Sequence, residues 1–201
     1  MRGFYFITDA LLSHAGNMSD VKNALAAGVR VIQYRDKRSG TRQMYEEALR
    51  LRKICKKAIF LVNDRVDIAL AVGAEGVHLG RTDLPYRVAR KLLGKERIIG
   101  LTVHSVKEAV EAQVLGADYL GVSPVFSTAT KQDAGKPLGC GLLRRIKEST
   151  RLPVVAIGGI NLKNAAEVIR SGADSLSAIS AVVARADVRK EIEKFQELFH
   201  R

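Results

Sequence analysis

The stretch Val29-Arg30-Val31-Ile32-Gln33-Tyr34-Arg35-Asp36-Lys37 changes character at its midpoint. Its first half is mostly apolar and β-branched, the composition of a buried strand. From there Gln33, Arg35 and Lys37 take alternate positions, and alternate side chains of a strand share one face. One amide and two cations leave a strand end together, an arrangement suited to an anionic ligand.

The same event recurs along the chain, and the recurrence decides the fold. Apolar strands are predicted at 4–8, 30–34, 59–62, 76–79, 98–101, 119–122, 154–157 and 175–179. Helical periodicity separates them, for example over 41–56, 106–115 and 162–171. Strands alternating with helices at this spacing imply a parallel sheet with right-handed crossovers. One joint repeats between helix and strand: Ala27-Gly28-Val29, Val72-Gly73-Ala74-Glu75, Leu115-Gly116-Ala117-Asp118 and Ser171-Gly172-Ala173-Asp174. Glycine ends a helix in the left-handed conformation, and the small residue after it lets the chain turn tightly. An open doubly wound sheet also uses such joints. Eight strands in 201 residues, with no Gly-x-Gly-x-x-Gly after the first, favour a single α/β domain over 1–201: a (β/α)8 (TIM) barrel.

Bulk composition excludes several classes. Hydrophobic residues make up 47% and charged residues 27%, as in ordinary globular proteins. No apolar run approaches the roughly 20 residues that span a membrane, and Met1-Arg2-Gly3 leads straight into a strand with no signal peptide. Cys55 and Cys140 lie far apart and read as reduced thiols of a cytoplasmic protein. The net charge of +12 raises a nucleic-acid-binding reading. Against it, the cations are spread over helices, as at Arg50, Arg52, Lys53, Lys56 and Lys57, with no Trp and no aromatic stacking platform. The excess charge reads as a solvated surface, part of it attracting phosphorylated substrates.

A barrel of this type keeps its active site at the C-terminal strand ends. There the sequence offers Thr8 and Asp9, then Gln33, Arg35 and Lys37, then Asn63, Asp64 and Arg65. His78, Arg81 and Asp83 follow the fourth strand, and Thr102 and His104 the fifth. The later strands give Ser123, the Gly158-Gly159 pair and Ser180. The opposite joints carry little beyond Gly, Ala and a single acid. Asp64 and Asp83 are the metal candidates. Two carboxylates completed by water and phosphate oxygens suit Mg²⁺. Each also has a structural role open to it: Asp64 as a helix N-cap or partner of Arg65, Asp83 as the cap of a helix near Pro85. His14, His78, His104 and His200 show no zinc spacing. His78 is expected to line the pocket or to be a bonded structural histidine, and His104 to start a helix with Ser105. Ile157-Gly158-Gly159-Ile160-Asn161 is expected to end a strand and open a helix whose N-terminus favours an anion. The loop 123–137 is long for its place, and Thr128, Thr130 and Lys131 suit a segment that closes over substrate. No nucleophile with its base stands out. A metal, several cations and two phosphate sites suit chemistry in which pyrophosphate leaves.

Read in order, Gln33-Tyr34-Arg35-Asp36-Lys37, Val62-Asn63-Asp64-Arg65-Val66-Asp67-Ile68-Ala69, Gly76-Val77-His78-Leu79-Gly80 with Asp83, Thr128-Ala129-Thr130-Lys131, Ala156-Ile157-Gly158-Gly159-Ile160 and Ile179-Ser180 resemble the thiamine-phosphate synthase family. The resemblance runs from residue 4 to about 183, nearly the whole chain. It implies a (β/α)8 transferase that joins a hydroxymethylpyrimidine diphosphate to a thiazole phosphate and releases pyrophosphate. It implies Mg²⁺ on Asp64 and Asp83, with diphosphate held by Arg35, Lys37, Asn63 and Lys131. Gln33 would contact the pyrimidine with His78 nearby, and Thr102 would stand where serine usually meets the diphosphate. Thr128, Thr130, Gly159, Ile179 and Ser180 would hold the thiazole phosphate. Arg81 stands where glutamine is common, and Ser127 where proline is usual. The rival within the same fold is the thiazole tautomerase branch, which lacks the full diphosphate and metal set. Oligomeric state, a homo-oligomer included, stays open.

Overall fold

The computed structural model describes residues 1–130 and 135–200. Its strands are β1 (Gly3–Ile7), β2 (Val31–Tyr34), β3 (Ile59–Asn63), β4 (Gly76–Leu79), β5 (Ile98–Val103), β6 (Tyr119–Val122), β7 (Val154–Ile157) and β8 (Ser175–Ser177). They close into a parallel barrel in sequence order, β8 pairing back onto β1. Helices α1 (Asn17–Ala26), α2 (Thr41–Ile54), α3 (Val66–Val72), α4 (Tyr86–Leu93), α5 (Val106–Leu115), α6 (Gly139–Glu148), α7 (Ala165–Arg170), α8 (Ile179–Val183) and α9 (Val188–Glu197) surround it.

Strand alternation sorts the core into two parts. Phe4 and Phe6 of β1, Ile32 and Tyr34 of β2, and Phe60 and Val62 of β3 face the helices. Tyr5, Ile7, Val31 and Leu61 face the lumen, where Tyr119 and Val155 join them. The same alternation turns Gln33 inward, level with Ile7 on one neighbour and Leu61 on the other. Glycines make room at this level: a Cβ on Gly121 of β6 would lie 2.8 Å from His78 Cε1.

All four expected joints use a glycine with positive φ: 80° at Gly28, 66° at Gly73, 91° at Gly116 and 98° at Gly172. The acid after three of them has a role that the sequence pattern did not reveal. Glu75 Oε2 accepts the Phe60 N–H at 2.8 Å, Asp118 Oδ2 the Ile99 N–H at 2.8 Å, and Asp174 Oδ2 the Val154 N–H at 2.8 Å. Each acid thus caps the N-terminal end of the preceding strand. Each is also paired with a cation from the helix that precedes the capped strand: Arg52 of α2, Arg90 of α4 and Lys147 of α6 respectively. The joint before β2 carries Arg30 instead of an acid, and the Phe4 N–H of β1 is accepted by Gln196 Oε1 of α9 at 2.9 Å.

Two boundaries differ from expectation. β8 ends at Ser177, not 179, and Ile179–Val183 form the short helix α8. Consequently Ile179 and Ser180 stand in the first turn of α8. The helix after β7 does not open at Ile160. A turn intervenes, in which Asn164 Oδ1 accepts the Asn161 N–H at 2.8 Å and Asn161 Oδ1 the Lys163 N–H at 2.9 Å. Local Asn side-chain bonds of this kind compete with helix formation, and α7 starts at Ala165.

Candidate active site at the barrel mouth

The strand ends converge on one cavity of about 460 Å³. Gln33, Arg35, Lys37 and Asn63 line it from β2 and β3, with Asp64, His78, Asp83 and Thr102 beside them. The far wall holds Thr128, Thr130, Gly159, Ile179 and Ser180. Thus every anticipated site residue among those described borders the same space. Lys131 lies outside the described residues.

Asp64 sits at the turn out of β3 with φ 62°, the one non-glycine residue with positive φ among those described. Its N–H donates to the His78 carbonyl at 2.8 Å, which fixes the turn. Asp and Asn tolerate this conformation better than most residues, and strain of this kind is typical of functional positions. Neither structural role left open for the acids is taken. Arg65 pairs with Asp67 at 2.6 Å, and α3 has no side-chain cap. Nor does a side chain cap α4; Asp83 Oδ2 instead accepts the Gly80 N–H at 2.7 Å.

The two carboxyls lie within hydrogen-bonding reach of each other. Burial pushes the Asp64 carboxyl up to about 6, its hydrogen bond with Asp83 adds to this, and Lys37 opposes it. Burial also acts upward on Asp83, but its bonds to Asp64 and the Gly80 N–H, with the charge of Lys37, bring it below its ordinary value. Like charges held this close favour sharing one proton. A divalent cation between them would relieve the same repulsion. Among the described residues no three His, Cys, Asp or Glu side chains gather in a metal-binding group. The donor set therefore fits an ion that takes most of its shell from water and ligand oxygens, as Mg²⁺ does.

The cations are held by acids. Lys37 Nζ pairs with Asp64 Oδ2, and Arg35 Nη1 lies 3.4 Å from Asp9 Oδ2. Asp9 Oδ1 accepts the Leu11 N–H at 3.1 Å, so the β1 loop carries the Arg35 partner. Thr8 Oγ1 in turn accepts the Arg35 N–H at 2.9 Å. Sequence reading placed Thr8 and Asp9 at the mouth but gave them no task.

The Gly158-Gly159 turn has φ values of 98° and 65°. A Cβ on either residue would come within 2.7 Å of a side-chain carbon of Pro124 or Phe126. The loop after β6 is tied down at both ends. The Val125 and Phe126 N–H groups donate to Ile157 and Gly158 carbonyls, and the Leu138 and Gly139 N–H groups donate to Pro124 and Val125 carbonyls. Between these anchors Thr128 and Thr130 reach the cavity. Gly158, Gly159 and Ile160 after β7 line this wall together with Ile179 and Ser180 at the start of α8. Ser177, unforeseen from sequence, also lines the cavity, and its buried Oγ has no protein partner among the described residues.

His78 is tied into the barrel interior. Its Nδ1 is 2.8 Å from Tyr119 Oη and its Nε2 is 2.8 Å from Thr102 Oγ1. His104 also borders the cavity, and its N–H donates to Glu108 Oε2 at 2.7 Å while Ser105 caps α5.

The family model described as thiamine monophosphate synthase matches residues 4–182. A thiamine-phosphate synthase of Methanosarcina barkeri is 53% identical over 199 residues, covering 98% of this chain and 90% of that protein. The solved thiamine phosphate pyrophosphorylase of Pyrococcus furiosus is 45% identical with a TM-score of 0.91, covering 98% of this chain and 95% of that one. A 3-hexulose-6-phosphate synthase, 18% identical with a TM-score of 0.72 and covering 98% of this chain and 99% of its own, shares the fold alone.

Proposed function

The chain belongs to the thiamine monophosphate synthase family, and from that premise we propose how its residues divide the work. The reaction is condensation of 4-amino-2-methyl-5-hydroxymethylpyrimidine diphosphate with thiazole phosphate, giving thiamine phosphate and pyrophosphate. The comparisons offer nothing for the thiazole tautomerase reading.

One observation carries the assignment: the facing Asp64 and Asp83 carboxyls share a cavity wall with Lys37 and Arg35. Asp64 and Asp83 would hold Mg²⁺, which supplies a Lewis acid for the departing diphosphate. Lys37, Arg35 and Asn63 take the diphosphate oxygens, with Lys131 assigned to the same group from the family pattern. Binding would release Lys37 from Asp64 and Arg35 from Asp9, so that both cations turn to the substrate. Gln33 offers its amide to the aminopyrimidine. Thr128 and Thr130, with Gly159, Ile179 and Ser180 on the facing wall, hold the thiazole phosphate opposite. The residues supply position and charge; the aminopyrimidine ring itself carries the developing methylene cation, and no protein base is needed.

Localisation in the cytoplasm accords with the free Cys55 and Cys140. Among the described residues no helix is long and apolar enough to cross a membrane.

The test is pyrophosphate release from the two substrates, with and without Mg²⁺. Release that needs both substrates and is lost on chelation supports the assignment. Full turnover in chelator would remove the metal role, and no release with Mg²⁺ would remove the reaction.

A further inference from the structure

Five side chains from five strands form one hydrogen-bonded line across the barrel lumen. Gln33 Nε2 donates to Tyr5 Oη at 2.8 Å, and Tyr5 Oη lies 2.8 Å from Tyr119 Oη. Tyr119 Oη is 2.8 Å from His78 Nδ1, and His78 Nε2 is 2.8 Å from Thr102 Oγ1. Tyr5, Tyr119 and Gln33 are buried, yet Gln33 and Thr102, the two ends, both border the cavity.

Counting hydrogens sets the direction. Tyr5 Oη accepts from Gln33 and has one hydrogen of its own. Tyr119 Oη is the acceptor within its reach. Tyr119 then has one hydrogen left, and His78 Nδ1 must accept it. The His78 ring proton therefore sits on Nε2 and points to Thr102 Oγ1. Thr102 in turn is free to direct its hydroxyl hydrogen elsewhere. The opposite direction, with Gln33 still donating, would leave the buried Tyr5 hydrogen without an acceptor, a costly outcome in a dry interior. Burial pushes both phenols far above their ordinary values, so both stay protonated. Such a line runs one way throughout: turning the Gln33 amide over would reverse every donor as far as Thr102.

We infer that Tyr119 is a positioning residue that holds His78 as its neutral Nε2–H tautomer, and that Tyr5 links it to Gln33, so that what Gln33 offers at one end of the cavity is joined to what Thr102 offers at the other. With Gln33 Nε2 committed to Tyr5, its carbonyl is the group left to receive an amino group. Thr102 becomes a hydrogen-bond donor, which an anionic oxygen requires. A ligand bearing an amine at one end and a phosphate at the other matches both ends of the line. This last step rests on the proposed reaction; the direction of the line does not.

The test uses the ring-nitrogen signals of His78 in the substrate-free protein, from long-range ¹H–¹⁵N spectra assigned by their loss in His78→Gln. The wild type is expected to show protonated Nε2 and unprotonated Nδ1. Tyr119→Phe removes the hydrogen that Nδ1 receives, so the tautomer preference is lost. Tyr5→Phe leaves the Tyr119–His78 bond in place and keeps the preference. Inorganic pyrophosphate with Mg²⁺ is expected to bind Tyr119→Phe about twofold more weakly, as the share of molecules with the donating Thr102 falls to about half, and Tyr5→Phe with unchanged affinity. A wild-type His78 protonated at Nδ1, or a Tyr119→Phe spectrum like the wild type, overturns the inference. The spectra need no catalysis, so they stand whether or not the reaction is as proposed. Should Tyr119→Phe fail to fold, the wild-type spectrum alone decides.

Discussion

Lys37 and Asp64 form an ion pair across the gap between β2 and β3, with Lys37 reaching from the end of one strand to the turn after the other. The pair joins a cation suited to a phosphate with an acid suited to a metal. Each partner neutralises the other, and the proposed Mg²⁺ and diphosphate would separate them. Arg35 and Asp9 repeat the arrangement one strand back. The mouth is therefore charged but compensated, which limits the cost of keeping it partly buried.

Asp64→Asn is expected to abolish turnover and raise stability. Asparagine keeps the side-chain shape and tolerates φ 62° as aspartate does, so the change isolates the charge. The sign follows from the shift. The Asp64 carboxyl is held up to about 6 in the fold against 3.8 ordinarily, so its ionisation opposes folding as pH rises through that interval. The variant should melt higher, by about 2–4 °C for roughly 1 kcal/mol, at pH 8 in chelator. Near pH 4 the gain should vanish. A variant that melts lower at pH 8, or one that retains turnover, would contradict the account. Alanine is the poorer test, because it loses the left-handed tolerance as well as the charge.

Lys37→Ala should separate function from stability in the other direction. The Lys37 side chain is 49% exposed, so its ion pair contributes little to folding. Its expected task is to meet charge on the departing diphosphate, where one such group is commonly worth about 10²–10³ in rate. The expected outcome is a loss of that size in kcat/KM with a melting temperature within about 2 °C of wild type, checked by steady-state kinetics and a thermal melt. A large drop in melting temperature would make Lys37 a structural residue.

The barrel and the contents of its mouth were legible in the sequence because both follow from strand alternation. Gln33 lies in the lumen because Ile32 and Tyr34 face the helices, and no partner needs to be known to say so. The glycine joints were legible because positive φ leaves a residue signature. What crosses the lumen was not legible. Tyr5 and Tyr119 read as ordinary apolar strand residues, and their contact spans 114 positions of sequence. Asp9 was visible at a strand end, but its pairing with Arg35 depends on how the β1 loop folds back. The helix boundary after β7 was misplaced because Asn161 and Asn164 bond locally in competition with the helix. The joint acids were noted only as single acids, since a strand-end cap is set by register between neighbours.

Gly121→Ala tests whether the histidine needs the space it occupies. Gly121 does not have positive φ, so alanine strains no backbone there, but its Cβ would lie 2.8 Å from the His78 ring. Overpacking of this kind costs about 1–3 kcal/mol and displaces whichever side chain gives way. Here that is His78, and Thr102 with it. Gly28→Ala is the matched control: its Cβ meets nothing within 4 Å, but φ is 80°. Both should lower the melting temperature. Turnover per folded molecule should fall in Gly121→Ala alone, and equal effects on turnover would remove His78 from the site.

Asp174→Ala should show the reverse division, because Asp174 lies at the end of the barrel away from the cavity. Its Oδ2 accepts both the Val154 N–H at 2.8 Å and Lys147 Nζ at 2.7 Å. Removing it leaves a strand-end donor and a half-buried ammonium without their acceptor, a loss of about 1–3 kcal/mol. For a chain of this size that lowers the melting temperature by about 2–12 °C. Asp174→Asn keeps an acceptor for the Val154 N–H and loses the charge seen by Lys147, so it should fall between alanine and wild type. High salt should narrow the gap between Asn and wild type and leave the Ala deficit largely intact, since salt screens the ion pair but not the cap. Pyrophosphate release at a temperature well below all three melts should be unchanged. A loss of turnover there would mean that the two ends of the barrel are coupled, which nothing in the packing of Asp174 against β7 and α6 supports.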